Sequence, residues 1–411
     1  MTTRQQAVTL DDKDPLASFR EQFLLPEGVI YLDGNSLGPL TKAASERLRQ
    51  VIGEEWGQGL IQSWNAAGWH VMPQTLGNKI AKLIGAQPGE VVCADGTSVN
   101  LFKLLSAALQ LRPGRRVIVS DDGNFPTDLY VAQGLTKMLG GDHEFRLVGA
   151  DDIPAALDET VAVLMMTEVD YRSGRLHDMV GLTKKAHDAG ALVLWDLCHS
   201  AGALPVDLNG ARADLAVGCG YKYLNGGPGA PAFLFVAERH QNAIYPAIAG
   251  WHGHAEPFAF EPGYRPADGI DRMLCSTIPV LSIAALDAAI DVMLAADINH
   301  IRDKSIGLFE LFAGLVETRC ADFGFQLVSP RAAARRGSQV SFAHQDGYAI
   351  MQALIERGVI GDFRAPNLLR FGFAPLYLRY QDIWDAVDVL HDIMATEAWR
   401  QEKYAIRKAV T

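Results

Sequence analysis

Between about Gly85 and Phe235 the sequence alternates short apolar runs with segments of helical periodicity. A strand with one solvated face would alternate polar and apolar residues, so continuous apolar runs predict strands that are covered on both faces. Helices between successive strands connect parallel neighbours. We therefore expect an α/β domain built on a mainly parallel sheet, with strands at 91–95, 115–121, 161–170, 192–198, 214–220 and 231–237.

The rest of the sequence predicts a second, smaller unit. A helical pattern at 98–111 and another at 178–189 belong to the first domain, and a long helix at 279–296 leads out of it. Beyond it we expect helices at 300–319, 347–357 and 380–400 with strands near 338–342 and 368–373, which is an α+β pattern. We predict a large domain at 51–295, a small C-terminal domain at 296–411, and a segment at 1–50 that packs on either of them.

The charge balance and the cysteines exclude several classes of protein. A net charge of -11 predicts an acidic surface, which repels nucleic acid and anionic membranes. The number of cysteines is odd, five, and no CxxC spacing occurs, so neither a disulfide framework nor a zinc site is expected. The sequence has no apolar run of signal-peptide type and none of about 18 residues that would span a membrane. We expect a cytoplasmic protein.

Lys222 follows the predicted strand at 214–220 and precedes a glycine-rich turn, in GCGYKYLNGGPG. A lysine at the end of a buried strand is partly buried, and burial lowers the pKa of an amine and makes it nucleophilic. Most lysines are solvated surface groups, so Lys222 alone does not define a site.

Asp196 lies at the end of the apolar strand at 192–198, and His199 follows at the turn. A carboxylate in such a place needs a partner, because an unpaired buried charge is costly. A protonated ring nitrogen is one such partner. An aspartate that caps the next segment is an equally good interpretation of Asp196 alone.

Gly96, Thr97 and Ser98 precede an amphipathic helix. Their backbone N–H groups and hydroxyls, with the helix dipole, suit a phosphate, although an ordinary helix cap has the same sequence. Taken together, a phosphate cradle, an acid at a later strand end and a lysine after the next strand are what pyridoxal 5'-phosphate (PLP) requires. A nicotinamide-dependent oxidoreductase is disfavoured because no GxGxxG follows a strand, and a non-enzymatic binding module remains a weaker alternative.

The sequence resembles the kynureninase family, within the PLP-dependent enzymes of the aspartate-aminotransferase fold. The matching segments lie in the family's order along nearly the whole chain: LDGNSLGP (32–39), TSVNLFK (97–103), NFPTDLY (124–130), WDLCHSAGALP (195–205), GYKYLNGGPGAPAF (220–233), GWHGH (250–254) and RFGFAPLY (370–377). The resemblance implies a large mainly parallel-sheet domain with a smaller α+β domain. It also implies hydrolytic cleavage of L-kynurenine to anthranilate and L-alanine, and hence a place in tryptophan catabolism, the kynurenine pathway and NAD biosynthesis.

The same resemblance assigns roles to individual residues. Those at the cofactor are implied to be Lys222, which holds it as a Schiff base; Asp196, which pairs with the ring nitrogen, with Asp128 nearby; Phe125, which stacks on the ring; Thr167 near the ring oxygen; and Thr97 and Ser98 at the phosphate, with His199 and Tyr221 close by. Trp251 and Thr277 are implied to reach the phosphate from a neighbouring subunit, which predicts a homodimer with shared active sites. Arg370 is implied to bind the substrate α-carboxylate, and Ser36 and Trp64 to lie near the aromatic ring of the substrate.

Lys222, Tyr221 and Asp196 are the expected catalytic residues, Tyr221 as the acid for the β-carbon, and no metal is expected. The family divides between kynurenine and its 3-hydroxy derivative, and Trp64 offers no acceptor for a ring hydroxyl, so we expect kynurenine to be preferred. The sequence departs from the family pattern at His252, where an aromatic residue is usual, and at Cys198, where a small one is usual. An aminotransferase or a cysteine desulfurase of the same fold is the alternative function.

Overall fold

The computed structural model describes residues 3–407. Across these residues the α-helices are, in chain order, Arg4–Asp11 (α1), Lys42–Gln50 (α2), Ser63–Ala66 (α3), Met72–Leu83 (α4), Thr97–Leu111 (α5), Pro126–Leu139 (α6), Ile153–Ala156 (α7), Met179–Asp188 (α8), Glu238–Gln241 (α9), Val280–Leu294 (α10), Ile298–Arg319 (α11), Gly347–Glu356 (α12) and Tyr380–Ala395 (α13). The strands are Ile30–Tyr31 (β1), Val91–Cys93 (β2), Val117–Asp121 (β3), Glu144–Val148 (β4), Val161–Thr167 (β5), Leu192–Asp196 (β6), Leu215–Cys219 (β7), Ala232–Val236 (β8), Gln326–Leu327 (β9), Gln339–Ala343 (β10), Val359–Ile360 (β11), Asp362–Arg364 (β12) and Leu368–Gly372 (β13).

The large domain is organised around a seven-stranded sheet in the order β2-β8-β7-β6-β5-β3-β4. The strands from β7 to β4 run parallel, whereas β8 is antiparallel to both of its neighbours. Every residue of β5, β6 and β7 is buried, as expected for strands that helices cover on both faces. The mainly parallel α/β prediction is therefore confirmed, and all six predicted strands are present.

The carboxyl ends of β5, β6 and β7 meet at one edge of this sheet, and α5 begins beside them after β2. Helix α5 packs on β5, β6, β7 and β8, through the buried face that includes Leu101, Leu104 and Leu105. In α/β sheets of this kind ligands bind beyond the carboxyl ends of the strands.

The C-terminal unit contains a four-stranded antiparallel sheet in the order β12-β13-β10-β9. Helices α11 and α13 pack together beside it, and α12 packs on β13. The predicted smaller α+β unit is confirmed. In the register of β12 and β13, Asp362 stands opposite Arg370, so these two side chains lie on the same face.

The N-terminal segment contacts both units. Helix α1 packs on α13, and β1 pairs in parallel with β11 of the C-terminal unit. Further along, the N–H of Gly38 donates to the carbonyl of Tyr221 over 2.7 Å, and α2 packs on α10. The segment therefore brings the residues after β1 to the carboxyl edge of the large sheet. Within residues 3–407, no helix combines the length and the apolar character needed to cross a membrane.

Candidate active site

A cavity of about 300 Å³ opens at the carboxyl edge of the large sheet. Its size falls at the lower end of the usual range for small-molecule sites. Nine of the residues singled out from the sequence line it: Thr97, Ser98, Phe125, Asp128, Thr167, Asp196, His199, Tyr221 and Lys222. Three further residues, Thr127, Tyr171 and Cys198, complete the lining.

Lys222 reaches this cavity from the turn that follows β7. The turn is held close to the protein because Gly220 and Gly226 allow tight packing: a Cβ on Gly220 would lie 2.5 Å from the carbonyl oxygen of Pro231. The side chain of Lys222 is half-buried, and its Nζ lies 3.0 Å from Nε2 of His199. Its Nζ also lies 5.9 Å from the centre of the Phe125 ring. The amine is thus positioned by direct contacts within the cavity.

The expectation that burial leaves Lys222 with a lowered pKa is wrong in its net direction. Burial does lower the pKa of the amine, but nearby groups that can carry negative charge raise it by more, so that the pKa lies above its usual value. These groups are Cys219, Cys198, Tyr221 and Asp196. Burial lowers the pKa of His199 far below its usual value, so its ring is neutral and Nε2 can accept a hydrogen bond from Lys222.

Asp196 and Asp128 form a buried pair of carboxyl groups. Asp196 ends β6, and its Oδ1 accepts a hydrogen bond of 2.8 Å from the N–H of Cys198. Asp128 stands in the first turn of α6. Burial, together with the charge of Asp196, raises the pKa of Asp128 well above its usual value. Asp128 therefore holds its proton more tightly than an ordinary carboxyl group does, and Asp196 is the member of the pair at the end of β6.

Helix α5 presents an open N-terminus to the cavity. Its N-cap is Gly96, where a Cβ would meet no atom within 4 Å, and no side chain among the described residues caps the first turn. Thr97 and Ser98 provide hydroxyl groups at this end. Free N–H groups, hydroxyls and the positive end of the helix dipole favour an anion such as a phosphate.

Aromatic rings and a hydroxyl complete the walls of the cavity. The Phe125 ring is 38% exposed and meets the Tyr171 ring edge to face, with centroids 5.2 Å apart. Burial, followed by the proximity of Cys219, raises the pKa of Tyr221 to about 12, so its phenol keeps its proton through neutral pH. Thr167 ends β5 and donates its hydroxyl to the carbonyl of Val169 over 3.0 Å.

Arg370 is almost fully buried on β13 and does not line the Lys222 cavity. Its guanidinium forms a two-pronged ion pair with Asp362, in which Nε donates to Oδ1 over 2.8 Å. Its Nη2 donates to the Ser36 hydroxyl over 2.8 Å, and its Nη1 donates to the backbone carbonyl of Tyr171 over 2.5 Å. Through Tyr171 the arginine is linked directly to the cavity wall.

Asp33 adds a second carboxyl group beside this guanidinium. Burial and the charge of Asp362 raise the pKa of Asp33 to about 7, although Arg370 and Arg364 oppose the rise. The same positive groups hold the pKa of Asp362 below its usual value despite its burial. Asp362 is therefore ionised at neutral pH, whereas Asp33 titrates there. Neither acid could be singled out from the sequence, since both meet Arg370 only through strand register and the N-terminal segment.

Trp251, Thr277 and Trp64 lie away from the Lys222 cavity of their own chain. Trp64 and Trp251 face one another, with ring centroids 6.0 Å apart, in a surface cavity of about 630 Å³. Thr277 is exposed. Exposed apolar side chains also line this cavity: Ile61, Phe258 and Phe260.

The structure shows the contacts of His252 and Cys198, the two residues that depart from the family pattern. His252 is buried and stacks on Trp251 with ring centroids 5.0 Å apart, so it supports that ring as an aromatic residue would. Burial lowers the pKa of His252, which keeps the stacked ring neutral. Cys198 is buried, with its Sγ 3.9 Å from Oγ1 of Thr97.

Comparison with known proteins decides the family. The family model for the kynureninase C-terminal domain matches residues 301–390. Over full length the chain is 57% identical to kynureninase from Burkholderia pseudomallei (strain 1106a) and 52% identical to kynureninase from Pseudomonas fluorescens, with 100% of each chain covered. The chain belongs to the kynureninase family. The resemblance identified in the sequence is thereby confirmed.

Solved structures confirm the fold of this kynureninase family member. A cysteine desulfurase from Thermococcus onnurineus NA1 matches with a TM-score of 0.76 at 18% identity, covering 92% of this chain and 98% of that one. A C-DES mutant with glycine linked covalently to its PLP cofactor matches with a TM-score of 0.77 at 18% identity, covering 91% and 99%. At these identities the likeness concerns the fold alone.

Proposed function

We propose that the protein is a PLP-dependent kynureninase, which hydrolyses the Cβ–Cγ bond of L-kynurenine and releases anthranilate and L-alanine. The observation that carries the proposal is the meeting of Lys222, Asp196 and the open start of α5 at one cavity, in a chain 57% identical over its full length to a kynureninase. We also propose a role in tryptophan catabolism and NAD biosynthesis. Because all five cysteines are free and buried, a cytoplasmic location is part of the same proposal.

The residues of the cavity fit PLP. Two buried polar atoms in its lining have no hydrogen-bond partner among the described residues, Oδ2 of Asp128 and Nδ1 of His199. The start of α5 with Thr97 and Ser98 would take the phosphate, Asp196 would face the protonated ring nitrogen, and Phe125 would stack on the ring. Thr167 would lie at the ring oxygen, and Lys222 would bind the aldehyde as a Schiff base. When bound, the cofactor supplies an electron sink for charge that develops beside the amino-acid α-carbon.

Lys222 is the group that moves protons at the α-carbon in this proposal. An amine must lose its proton before it can act as a base, and the raised pKa of Lys222 opposes that loss. Neutral His199, 3.0 Å away, accepts a hydrogen bond from the amine and orients it, but its own pKa is too low for it to take the proton. Tyr221 keeps its phenolic proton up to about pH 12 and would donate it to the β-carbon when the Cβ–Cγ bond breaks.

Arg370 is the proposed anchor for the substrate α-carboxylate. A planar guanidinium binds a carboxylate through two parallel hydrogen bonds. Asp362 holds Nε and Nη2 of this guanidinium, and Tyr171 holds Nη1 by its carbonyl. Asp362 therefore fixes the orientation of Arg370 and also removes part of its positive charge. Ser36, which donates to Asp362 over 2.9 Å, would lie at the substrate end of this arrangement.

The aminotransferase and desulfurase alternatives are not favoured. A desulfurase needs a reactive cysteine on an accessible loop, and all five cysteines here are buried. The full-length relatives at 52–57% identity are kynureninases, whereas the desulfurase structures are similar only at 18% identity.

We propose further that the protein acts as a homodimer with shared active sites. The exposed apolar side chains of Ile61, Phe258 and Phe260 line one surface cavity with Trp251, and an apolar surface of this kind is typical of an interaction site. Trp251 and Thr277 lie at or near this surface and not in their own Lys222 cavity, so they would reach the phosphate of the other subunit. Trp64 lies beside Trp251 and would face the substrate of the same neighbouring site.

Product analysis tests the proposed reaction. Purified protein reconstituted with PLP is incubated with L-kynurenine, and anthranilate and alanine are quantified by chromatography. We expect the two products in equal amounts from the wild-type protein and none from the Lys222→Ala variant. Formation of a keto acid without anthranilate would show an aminotransferase instead.

A further inference from the structure

A second cavity, of about 560 Å³, is lined by Glu168, the residue that follows Thr167 in the chain. It is formed by a hairpin at 168–177 of the large domain and a turn at Ala333–Arg335 of the small domain. The N–H of Leu176 donates to the carbonyl of Arg335 over 2.9 Å, which joins the hairpin and the turn. Nothing in the proposed reaction uses this cavity, and sites between domains are common places for small molecules.

Two buried polar side chains line this cavity with unsatisfied atoms. Glu168 and His177 are only 5% and 7% exposed, and neither Oε2 of Glu168 nor Nε2 of His177 has a hydrogen-bond partner among the described residues. The bridge between Val169 and Leu176 and the 2.9 Å hydrogen bond from the N–H of His177 to the carbonyl of Glu168 place the two residues opposite each other. Side chains at opposite positions project to the same face, so both are directed to the same cavity. Buried polar groups without partners are uncommon in folded proteins.

The charges around these two groups favour an anion. Burial raises the pKa of Glu168 to about 7, although the Ser200 hydroxyl opposes the rise, so this carboxyl retains a proton much of the time at neutral pH. Burial also lowers the pKa of His177 to about 4, so its ring is neutral. Both groups can therefore donate a hydrogen bond. Arg335 is exposed at the rim and forms no ion pair with any described residue.

The remaining charged groups of the lining are already engaged. Arg175 pairs with Asp151 over 2.5 Å at the surface, where Asp151 is 82% exposed. Asp178 accepts a hydrogen bond of 2.9 Å from the N–H of Gly181 as the cap of α8. Arg335 helps to lower the pKa of Asp151 but makes no direct ion pair with it, so its guanidinium is open to a ligand at the rim.

We propose that this cavity is a second binding site, for a small aromatic carboxylate. The carboxylate would accept hydrogen bonds from His177 and Glu168 and pair with Arg335. The ring would lie on the apolar part of the lining, formed by Leu176, Met179, Leu182, Leu204 and Pro205. Anthranilate, the product of the proposed reaction, belongs to this class. Binding of the product at this site therefore rests on the proposed function, whereas the existence of the site does not depend on it.

Titration calorimetry with benzoate on the PLP-loaded protein tests the site without measuring activity. Arg335→Ala removes an exposed side chain and should leave the fold intact. We expect it to weaken the benzoate site about tenfold or more, since a charge-assisted hydrogen bond is lost. Arg331→Ala is the matched control, because Arg331 is exposed in the same loop but pairs with Glu317 over 2.9 Å outside the cavity. It should leave benzoate binding unchanged.

Two further probes test the chemical class, and a crystal soaked with 3-bromobenzoate tests the location. Acetate, which lacks the ring, should bind about tenfold more weakly than benzoate, and benzylamine, a cation, should not bind. Bromine between Leu204 and Arg335 would support the proposal. Binding that is equal in wild-type protein and Arg335→Ala, bromine only in the Lys222 cavity, or tighter binding of benzylamine would each overturn it.

Discussion

At the scale of single residues, the surroundings of Lys222 determine how the cofactor is held. Lys222→Ala removes the amine while leaving Asp196, His199 and the start of α5 in place. We expect the variant to bind PLP without a covalent bond, so that borohydride no longer fixes the cofactor to the protein. Mass spectrometry of the reduced protein measures this, with Lys184→Ala, at an exposed lysine, as the control. Label found on the Lys222→Ala protein in the same peptide would show that another group is the anchor.

The raised pKa of Asp33 predicts how substrate binding depends on pH. Its pKa is raised to about 7 by burial and by Asp362, so below this pH it is neutral and above it negative. When Asp33 ionises, the positive charges of Arg370 and Arg364 are balanced by two carboxylates and attract the substrate α-carboxylate less. We therefore expect KM for L-kynurenine to rise as the pH increases through about 7.

The variant Asp33→Asn isolates this effect, because an amide cannot ionise. Steady-state KM is measured from pH 6 to pH 9 for the wild-type protein and for Asp33→Asn. Any titration of the substrate amine affects KM equally in the two proteins, so a difference between their profiles comes from Asp33. The neighbouring Tyr31 and Tyr377 do not interfere, as burial raises the pKa of both phenols above this range. Parallel KM profiles for the two proteins would remove Asp33 from this role.

Residues at strand ends could be recognised in the sequence, and those that depend on tertiary contacts could not. Lys222 and Asp196 follow apolar runs, and this position alone placed them at the carboxyl edge of the sheet. Tyr171 lies in the turn of a hairpin, and it becomes part of the cavity only because its carbonyl accepts from Arg370 and its ring meets Phe125. The predicted direction of the Lys222 pKa shift was wrong for a similar reason. The sequence indicates that Lys222 is buried, but it does not show which acidic groups lie near the amine.

At the scale of secondary-structure elements, strand β4 of the large sheet was not predicted, and neither were helices α2, α4 and α6. Strand β4 lies at the edge of the large sheet, and no residue in it is buried. Its sequence, EFRLV, is short and partly charged, as edge strands often are, because charges there prevent pairing with other chains. The long helices α5 and α11 were predicted to within two residues of their ends, since their apolar pattern repeats over several turns, whereas the prediction for α13 ran five residues past its end at Ala395.

Helix α5 depends on a buried ion pair that supports its N-terminus. Lys103 is 1% exposed, forms an ion pair with Asp95 and donates to the carbonyl of Met273 over 2.7 Å. Asp95, with φ of +52°, immediately precedes Gly96 and the proposed phosphate site. Removal of one partner of a buried pair leaves an uncompensated charge.

We expect Lys103→Met to destabilise the protein by about 3 kcal/mol and to weaken PLP binding. Urea unfolding and PLP titration measure the two effects, and Lys137→Met, at an exposed helical lysine, is the control. The double variant Lys103→Met/Asp95→Asn should recover part of the stability because the unpaired carboxylate is gone. Wild-type stability and PLP affinity in Lys103→Met would show that the pair does not support α5.

At the scale of the whole molecule, the proposed dimer determines which substrate is preferred. Trp64 and Trp251 would form one wall of the neighbouring site, and Trp64 has no acceptor for a 3-hydroxyl group. The Ser36 hydroxyl is engaged by Asp362 and Arg370, and Nδ1 of His70 lies 2.7 Å from the Trp64 carbonyl oxygen. A desolvated hydroxyl without a partner costs about 1–3 kcal/mol, so kynurenine should exceed 3-hydroxykynurenine in kcat/KM by about tenfold or more. Equal or higher efficiency on the hydroxylated compound, in parallel kinetics, would contradict this arrangement.

Shared active sites also predict that two inactive chains can restore activity together. Lys222→Ala removes the anchor of a chain's own cavity, and Trp251→Ala removes a group that the chain would contribute to its partner. In a mixed dimer one site carries both defects, while the other combines the intact Lys222 of one chain with the intact Trp251 of the other. Random pairing of equal amounts makes half of the dimers mixed, so about one quarter of the wild-type sites should return.

The two variant chains carry different tags and are expressed together. One sample is purified through both tags and contains only mixed dimers. A second sample is purified without either tag and contains the total pool of dimers. Kynurenine turnover per PLP-binding chain is compared with that of each parent protein. A pair of Lys222→Ala with the double variant Lys222→Ala/Trp251→Ala is the control, because no combination of these chains has an intact anchor. If the dual-tagged dimers were as inactive as that control, Trp251 would act within its own chain, and the exposed apolar surface around it would need a different partner.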